Sequence, residues 1–269
     1  MFPCAARSTE ADRVCIFFKI KNCYDVLGII DREEEGIGNT RYPFCMKKSL
    51  QIALDGPAGA GKSTIAKSLA KQLGYVYIDT GAIYRAVTYR ALNEGIALED
   101  GDMLAKMIDR MSLRLVPSEE GQRVFDGEEE VTSVIRSSEV TNNVSFVARQ
   151  PEVRDALMDL QRDLAKDGGV VMDGRDIGTH VLPHADLKVF MTASVEERAR
   201  RRHEENVSKG IPSDYEQLKE EIALRDKRDS EREVAPLRQA EDAYYLDTTT
   251  LSIEGVVQAI ERLIGEVSA

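Results

Sequence analysis

Beyond Cys45 the sequence contains no cysteine: all four, Cys4, Cys15, Cys23 and Cys45, fall in the first 45 of 269 residues. Their spacing matches no zinc-ligand pattern. A body without cysteine fits a reducing cytoplasm better than a disulfide framework. Long apolar runs are missing too. No stretch of about 18 or more apolar residues occurs, so no transmembrane helix is expected. No unbroken apolar core marks a secretory signal, and a cytoplasmic location is expected. Positive charge is in deficit, with 36 Lys and Arg against 47 Asp and Glu and a net charge of −11. That balance argues against a general nucleic-acid binder, which normally carries a basic surface. The hydrophobic fraction of 42% and the charged fraction of 31% are ordinary for a globular protein. The length allows one large α/β domain with insertions, or two small domains.

What the chain does hold is concentrated in Gly56-Pro57-Ala58-Gly59-Ala60-Gly61-Lys62-Ser63, which fits the P-loop pattern G-x-x-x-x-G-K-[ST] at every fixed position. Glycines let successive backbone N–H groups turn inward toward phosphate oxygens with no Cβ in the way. Lys62 then reaches the β- and γ-phosphates, and the Ser63 hydroxyl can ligate Mg²⁺. Leu50 to Leu54 reads as a buried strand entering the loop. Ile65, Ala66, Leu69, Ala70 and Leu73 recur at helical spacing after it, and Gly74 is a helix stop. The helix N-terminus adds its dipole to the phosphate site. A chance glycine-rich turn is the alternative, and the strand–loop–helix context weighs against it. A nucleoside triphosphate site is expected.

Residues 1–45 lack sustained periodicity and mix acidic residues with a short apolar patch, whereas Met46-Lys47-Lys48-Ser49 leads straight into the first strand. The segment reads as a disordered extension upstream of the natural start, with a small regulatory tail as the alternative. From Leu50 onward strand and helix alternate, the mark of a parallel sheet with helices on both faces. Further strands are expected at 75–79, 169–173, 187–191 and 243–247. Ser194-Val195-Glu196-Glu197 reads as a capping box, and Ser252 as the cap of the last helix. Two stretches interrupt this core of 46–93, 151–199 and 236–269. Residues from about 94 to 150 read as an inserted subdomain of a helix and short strands. Residues from about 200 to 235 are densely charged, and a solvated helix with i,i+4 pairs would account for them equally well.

Asp173 ends an apolar strand and fits the acid that organises Mg²⁺, directly or through water. Gly174-Arg175-Asp176 follows at the sheet edge where such folds bind ligands. Asp79-Thr80-Gly81-Ala82-Ile83-Tyr84-Arg85 lies at the same edge, and Arg85 and Arg175 can grip an acceptor phosphate from two strand ends.

From about residue 48 to 268 the chain resembles the bacterial-type cytidylate (CMP) kinases, a group of P-loop nucleoside monophosphate kinases. The resemblance is carried by Ile52 to Thr64, Asp79 to Arg85, Asp173 to Gly178, Arg225 to Leu237 and Leu246-Asp247-Thr248-Thr249. The first segment is shared by many NTPases; the other four together are specific. The resemblance implies a five-stranded parallel P-loop kinase fold with a monophosphate-binding insertion and a charged helical lid. It implies that Gly56 to Thr64 hold ATP, and that Ser145, Arg154, Asp176 and Arg232 contact the cytosine ring. Thr80, Arg225 and Asp229 would lie at the sugar, Arg85 and Arg175 would hold the CMP phosphate, and Tyr84 would be a further substrate-binding residue. Lys62, Arg175, Arg225 and Arg228 would be the catalytic cations. The implied reaction is ATP + CMP giving ADP + CDP, with dCMP a second acceptor, Mg²⁺ the cofactor and a monomer the default. A P-loop kinase for another small acceptor, and an ATP-gated binding protein with no acceptor site, are the rival readings.

Overall fold

Apolar side chains on both faces of a strand require a layer of helices on each side. In β1 (Gln51–Asp55), Ile52 and Leu54 pack into one core while Ala53 packs into the other. The computed structural model describes residues 49–119 and 121–268. The extension expected at 1–45 lies outside them.

β1 is the middle strand of a five-stranded sheet in the order β2-β6-β1-β7-β8, with every neighbouring pair parallel. Its partners are β2 (Val76–Asp79), β6 (Val170–Asp173), β7 (Leu187–Thr192) and β8 (Tyr244–Asp247). The same alternation runs through them. Val170 and Met172 face one core and Val171 the other; Ile78 and Tyr77 divide likewise. Helices α1 (Lys62–Leu73) and α8 (Ile253–Ser268) cover one face, and α2 (Thr80–Glu94) and α5 (Pro151–Ala165) cover the other. Leu50, Ile52 and Leu54 are fully buried, each contributing about 1.5–3 kcal/mol. The expected parallel α/β sheet is therefore present.

Local signals set the helix ends. Gly74 and Gly95 terminate α1 and α2 with φ near +67°. The Asp79 carboxylate accepts from Ala82 N at the start of α2, and Ser252 Oγ accepts from Gly255 N at the start of α8. The capping box expected at Ser194 closes on one side only. Ser194 Oγ accepts from Glu197 N, but Glu197 turns its carboxylate to Arg200 and Arg201, and Ser194 N donates to Thr249 Oγ1 instead.

Between α2 and α5 lie α3 (Gly101–Ile108), an antiparallel sheet of β3 (Leu113–Ser118), β4 (Gly121–Asp126) and β5 (Glu129–Glu130), and α4 (Ser138–Ala148). After β7 come α6 (Val195–Ser208) and α7 (Tyr215–Glu231), which pack against each other. Among the described residues no helix is long and apolar enough to cross a membrane.

Because the strands are parallel, their ends share one edge. Asp55, Asp79, Asp173 and Asp247 terminate four of the five there. At that edge the chain leaving β1 runs against β7. Gly56 has φ +144°, and a Cβ built on it would lie 1.9 Å from the Met191 carbonyl oxygen. Gly56→Ala should therefore cost at least the 1–3 kcal/mol typical of overpacking, roughly 2–12 °C in Tm for a domain of this size. Thermal denaturation measures it, and a melting temperature within a degree of the parent would contradict the close approach.

Candidate functional site

The loop from Gly56 to Gly61 bends through three positive-φ glycines, Gly56, Gly59 and Gly61. Gly61 caps α1 in the left-handed conformation and offers no side chain, so the first amides of the helix have no side-chain acceptor. Such amides favour an anion. Lys62 is buried and its Nζ donates to Pro57 O across the loop at 2.8 Å. Burial, and then Arg175, push its pKa well down from the usual lysine value. Pro57 and Ala60 are buried with it, Ala58 and Gly59 face a cavity, and Thr64 is exposed.

Ser63 Oγ donates to Asp173 Oδ2 at 2.8 Å, and Tyr77 OH donates to Asp173 Oδ1 at 3.0 Å. A hydroxyl and a carboxylate are thus held side by side at the mouth of the loop. Burial, and then the Asp79 charge, lift the Asp173 carboxyl to about 6. Oxygen donors of this kind suit a hard divalent cation. No group of three or more His, Cys, Asp or Glu able to hold a metal by itself occurs among the described residues.

A cavity of about 60 Å³ lies beside this point. It is lined by Thr80, Tyr84 and Arg85 from α2, Ser145 from α4, Arg154 from α5, Arg175 and Asp176 after β6, and Arg225, Asp229 and Arg232 from α7 and its end. Asp176 receives a guanidinium on each oxygen, Arg154 Nη2 on Oδ2 and Arg232 Nη2 on Oδ1. Arg154 is 2% exposed, and its guanidinium lies 5.6 Å from the Tyr84 ring centre. Arg175 Nε donates to Asp229 Oδ2 at 3.0 Å, and Thr80 Oγ1 donates to Asp173 O at 2.9 Å. A larger cavity of about 260 Å³ adjoins Ala58 and Gly59 and shares Ser145 and Arg225 with the first. Arg228 lines only the larger one and lies 4.9 Å over the Phe146 ring. His180 lines neither; its Nδ1 is 2.9 Å from Thr179 Oγ1.

The carboxylates do not balance the cations here. Asp79 pairs with Arg136, Asp229 with Arg175, and Asp176 with Arg154 and Arg232. Among the described residues Lys62, Arg85 and Arg225 make no ion pair, and the buried Arg225 Nε has no hydrogen-bond acceptor. Arg85 bonds to neutral oxygens, Thr141 Oγ1 at 2.7 Å and Ile135 O at 3.4 Å. Burial, and then Arg225, push Arg85 down to about 9; burial, and then Arg175, push Arg225 down to about 10. Mutual repulsion of buried cations is costly unless an anion joins them.

Several residues escape a reading of the sequence. Asp55 accepts from Ile177 N and Gly178 N. The signal that singles out Asp173, an acid ending an apolar strand, was equally present there. Gln122 Oε1 accepts from Asp79 N at 3.1 Å and ties the small sheet to the end of β2. Arg198, 3% exposed, donates to Ala58 O in the loop and pairs with Asp226 of α7. Inside a charged run nothing distinguishes it from the exposed arginines beside it.

A family model described as Cytidylate kinase matches residues 52–266. A protein named Cytidylate kinase from Exiguobacterium sp. strain AT1b is 94% identical over 224 residues, covering 83% of this chain and 100% of that protein. One of the same name from Exiguobacterium sibiricum is 66% identical over 216 residues, covering 80% and 97%. Another from Anoxybacillus flavithermus is 60% identical over 221 residues, covering 82% and 98%.

An excess of buried cations should respond to a simple polyanion. Tripolyphosphate at a hundredfold excess over its Kd should stabilise the fold by about 2.7 kcal/mol, or ~5–10 °C in Tm. Lys62→Ala should lose most of that gain. A parent protein whose melting is indifferent to tripolyphosphate would contradict the charge argument.

Proposed function

Since the chain belongs to the cytidylate kinase family, we propose that it transfers the terminal phosphoryl group of ATP to CMP, giving ADP and CDP, with dCMP as a second acceptor. The observation that carries this reading is the pair of cavities meeting at Arg225, one against the Gly56–Gly61 loop and one lined by acceptor-type side chains. Phosphoryl transfer needs donor and acceptor in line, with charge neutralised between them. A buried guanidinium with an unused N–H at that junction is suited to it.

The donor phosphates lie along the loop amides and the α1 N-terminus, with Lys62 exchanging its Pro57 carbonyl for phosphate oxygens. Ser63 and Asp173 would hold Mg²⁺, which supplies charge neutralisation of the donor phosphates when bound. On the acceptor side Arg85 and Arg175 grip the CMP phosphate. No general base is required, because that phosphate is ionised at neutral pH. Asp229 and Thr80 face the sugar. The base lies against Ser145, Arg154, Asp176 and Arg232. Cytosine offers an N4 amine where uracil offers a carbonyl. A carboxylate lone pair left free on Asp176 accepts the first and repels the second. α6 and α7 act as the lid, and the segment from α3 to α4 as the monophosphate-binding insertion. Closing the lid excludes water that would otherwise consume ATP.

A coupled assay across CMP, dCMP, UMP and AMP tests the assignment. CMP should be preferred over UMP and AMP; a preference for AMP, or turnover of none of them, would overturn it. Lys62→Ala should lower turnover by about 10²–10³ while leaving the fold intact. Asp176 is a poor target for probing base choice, because its loss would strand Arg154 as a buried charge at about 3–5 kcal/mol. Ser145→Ala removes one hydroxyl worth about 0.5–1.5 kcal/mol and should narrow the CMP-to-UMP ratio of kcat/KM two- to tenfold. An unchanged ratio would place base recognition elsewhere.

A further inference from the structure

Asp55 has no role in the assignment above, yet it stands where the two halves of the site join. It ends β1 one residue before Gly56 and is 5% exposed. Its Oδ1 accepts from Ile177 N at 2.8 Å and its Oδ2 from Gly178 N at 2.7 Å. Those two amides open the π-helical turn Ile177–Val181, directly after Asp176. At the other end of the same short segment, Gly174 N donates to Leu54 O at 3.0 Å. Residues 174 to 178 are therefore fastened to the end of β1 at both ends. Arg175 and Asp176 are suspended between the fastenings.

From this geometry we infer that Asp55 is a positioning residue for the acceptor-binding pair Arg175 and Asp176, acting through the backbone of Ile177 and Gly178. The inference rests on the CMP kinase reading and goes beyond it in naming what sets the acceptor loop in register with the donor loop. Each N–H meets its own carboxylate oxygen, and an amide in this place would present an NH₂ donor to one of them. Burial lifts the Asp55 carboxyl to about 6, and the two amide bonds oppose that rise. The turn has no slack on its other side. A Cβ on Gly178 would lie 3.1 Å from Lys188 Cδ and 3.4 Å from Asp55 Oδ2. The loop is thus gripped between the Asp55 carboxylate and the Lys188 stem. Since Asp55 ends the central strand and Gly56 opens the loop that leaves it, donor and acceptor loops take their positions from one reference.

The test compares Asp55→Asn and Gly178→Ala with the full-length parent, measuring the Kd of a non-hydrolysable ATP analogue and kcat and KM for CMP and UMP. Asp55→Asn keeps the size but turns an amide donor toward one of the N–H groups. Its KM for CMP should rise tenfold or more, and the CMP preference over UMP should narrow, while the analogue's Kd stays within about threefold. Gly178→Ala leaves the carboxylate in place and crowds the turn against the Lys188 stem, which Asp242 holds at its Nζ, so where the turn yields it should reproduce the same split. The double variant should be no worse than the worse single one, because both break the same contact. Equal losses on the donor and acceptor sides, or an Asp55→Asn variant with the parent's KM and CMP preference, would overturn the inference. If Asp55→Asn fails to fold, Gly178→Ala decides by its own split. A parent that does not turn over CMP overturns the kinase reading and this inference with it; an active parent with evenly damaged variants overturns the inference alone.

Discussion

Repulsion among buried cations is the constraint around which this site is built. Lys62, Arg85, Arg175 and Arg225 converge at the end of the parallel sheet, and each of Lys62, Arg85 and Arg225 is disfavoured first by burial and then by a neighbouring guanidinium. The fold tolerates this because strand ends and α7 bring carboxylates to the same edge. Each of those has a defined use. Asp79 caps α2 and holds Arg136, Asp229 holds Arg175, and Asp176 holds two arginines. Asp173 is turned toward hydroxyls and remains beside Lys62 without pairing to it. The net positive surplus is left where a polyphosphate and a monophosphate would meet. In a low-dielectric cavity that surplus acts strongly on any charge that develops during transfer.

The same economy explains the two helices after β7. The outer face of α6 and its C-cap carry solvated pairs, Arg200 with Glu197 and Glu204, and Lys209 with Glu205, each worth little on its own. Arg198 and α7 behave differently. Arg198 is inside, tied to Ala58 of the loop and to Asp226, and the neighbouring Arg225 and Asp229 line the smaller cavity. One charged stretch thus contains both a solvated surface and a functional face. The helical hairpin lets them separate.

How much was legible follows from what kind of contact each residue makes. The loop, the parallel strands and the Asp173-Gly174-Arg175-Asp176 segment act through short-range spacing, which a sequence displays directly. Arg154 came only through resemblance; on α5 it could as well have been a surface arginine, and it is among the largest fully buried side chains. Asp55, Gln122 and Arg198 act across separations of 122, 43 and 140 residues, and no local pattern records such pairings. Arg228, likewise named through resemblance, has its guanidinium over the Phe146 ring of α4 at the larger cavity, a contact between separate elements that no local pattern records. The half-formed cap at Ser194 has a similar cause, since Glu197 meets two arginines that the four-residue signature does not contain.

Arg225 should stand between a donor and an acceptor phosphate. A crystal structure with CMP and a non-hydrolysable ATP analogue bound together tests this most directly. The CMP phosphate should lie between Arg85 and Arg175, the analogue's phosphates along Gly56–Gly61, and a phosphate oxygen within hydrogen-bond distance of Arg225 Nε. A CMP phosphate held away from Arg85 and Arg175, or an Arg225 Nε still without an acceptor in that complex, would contradict it.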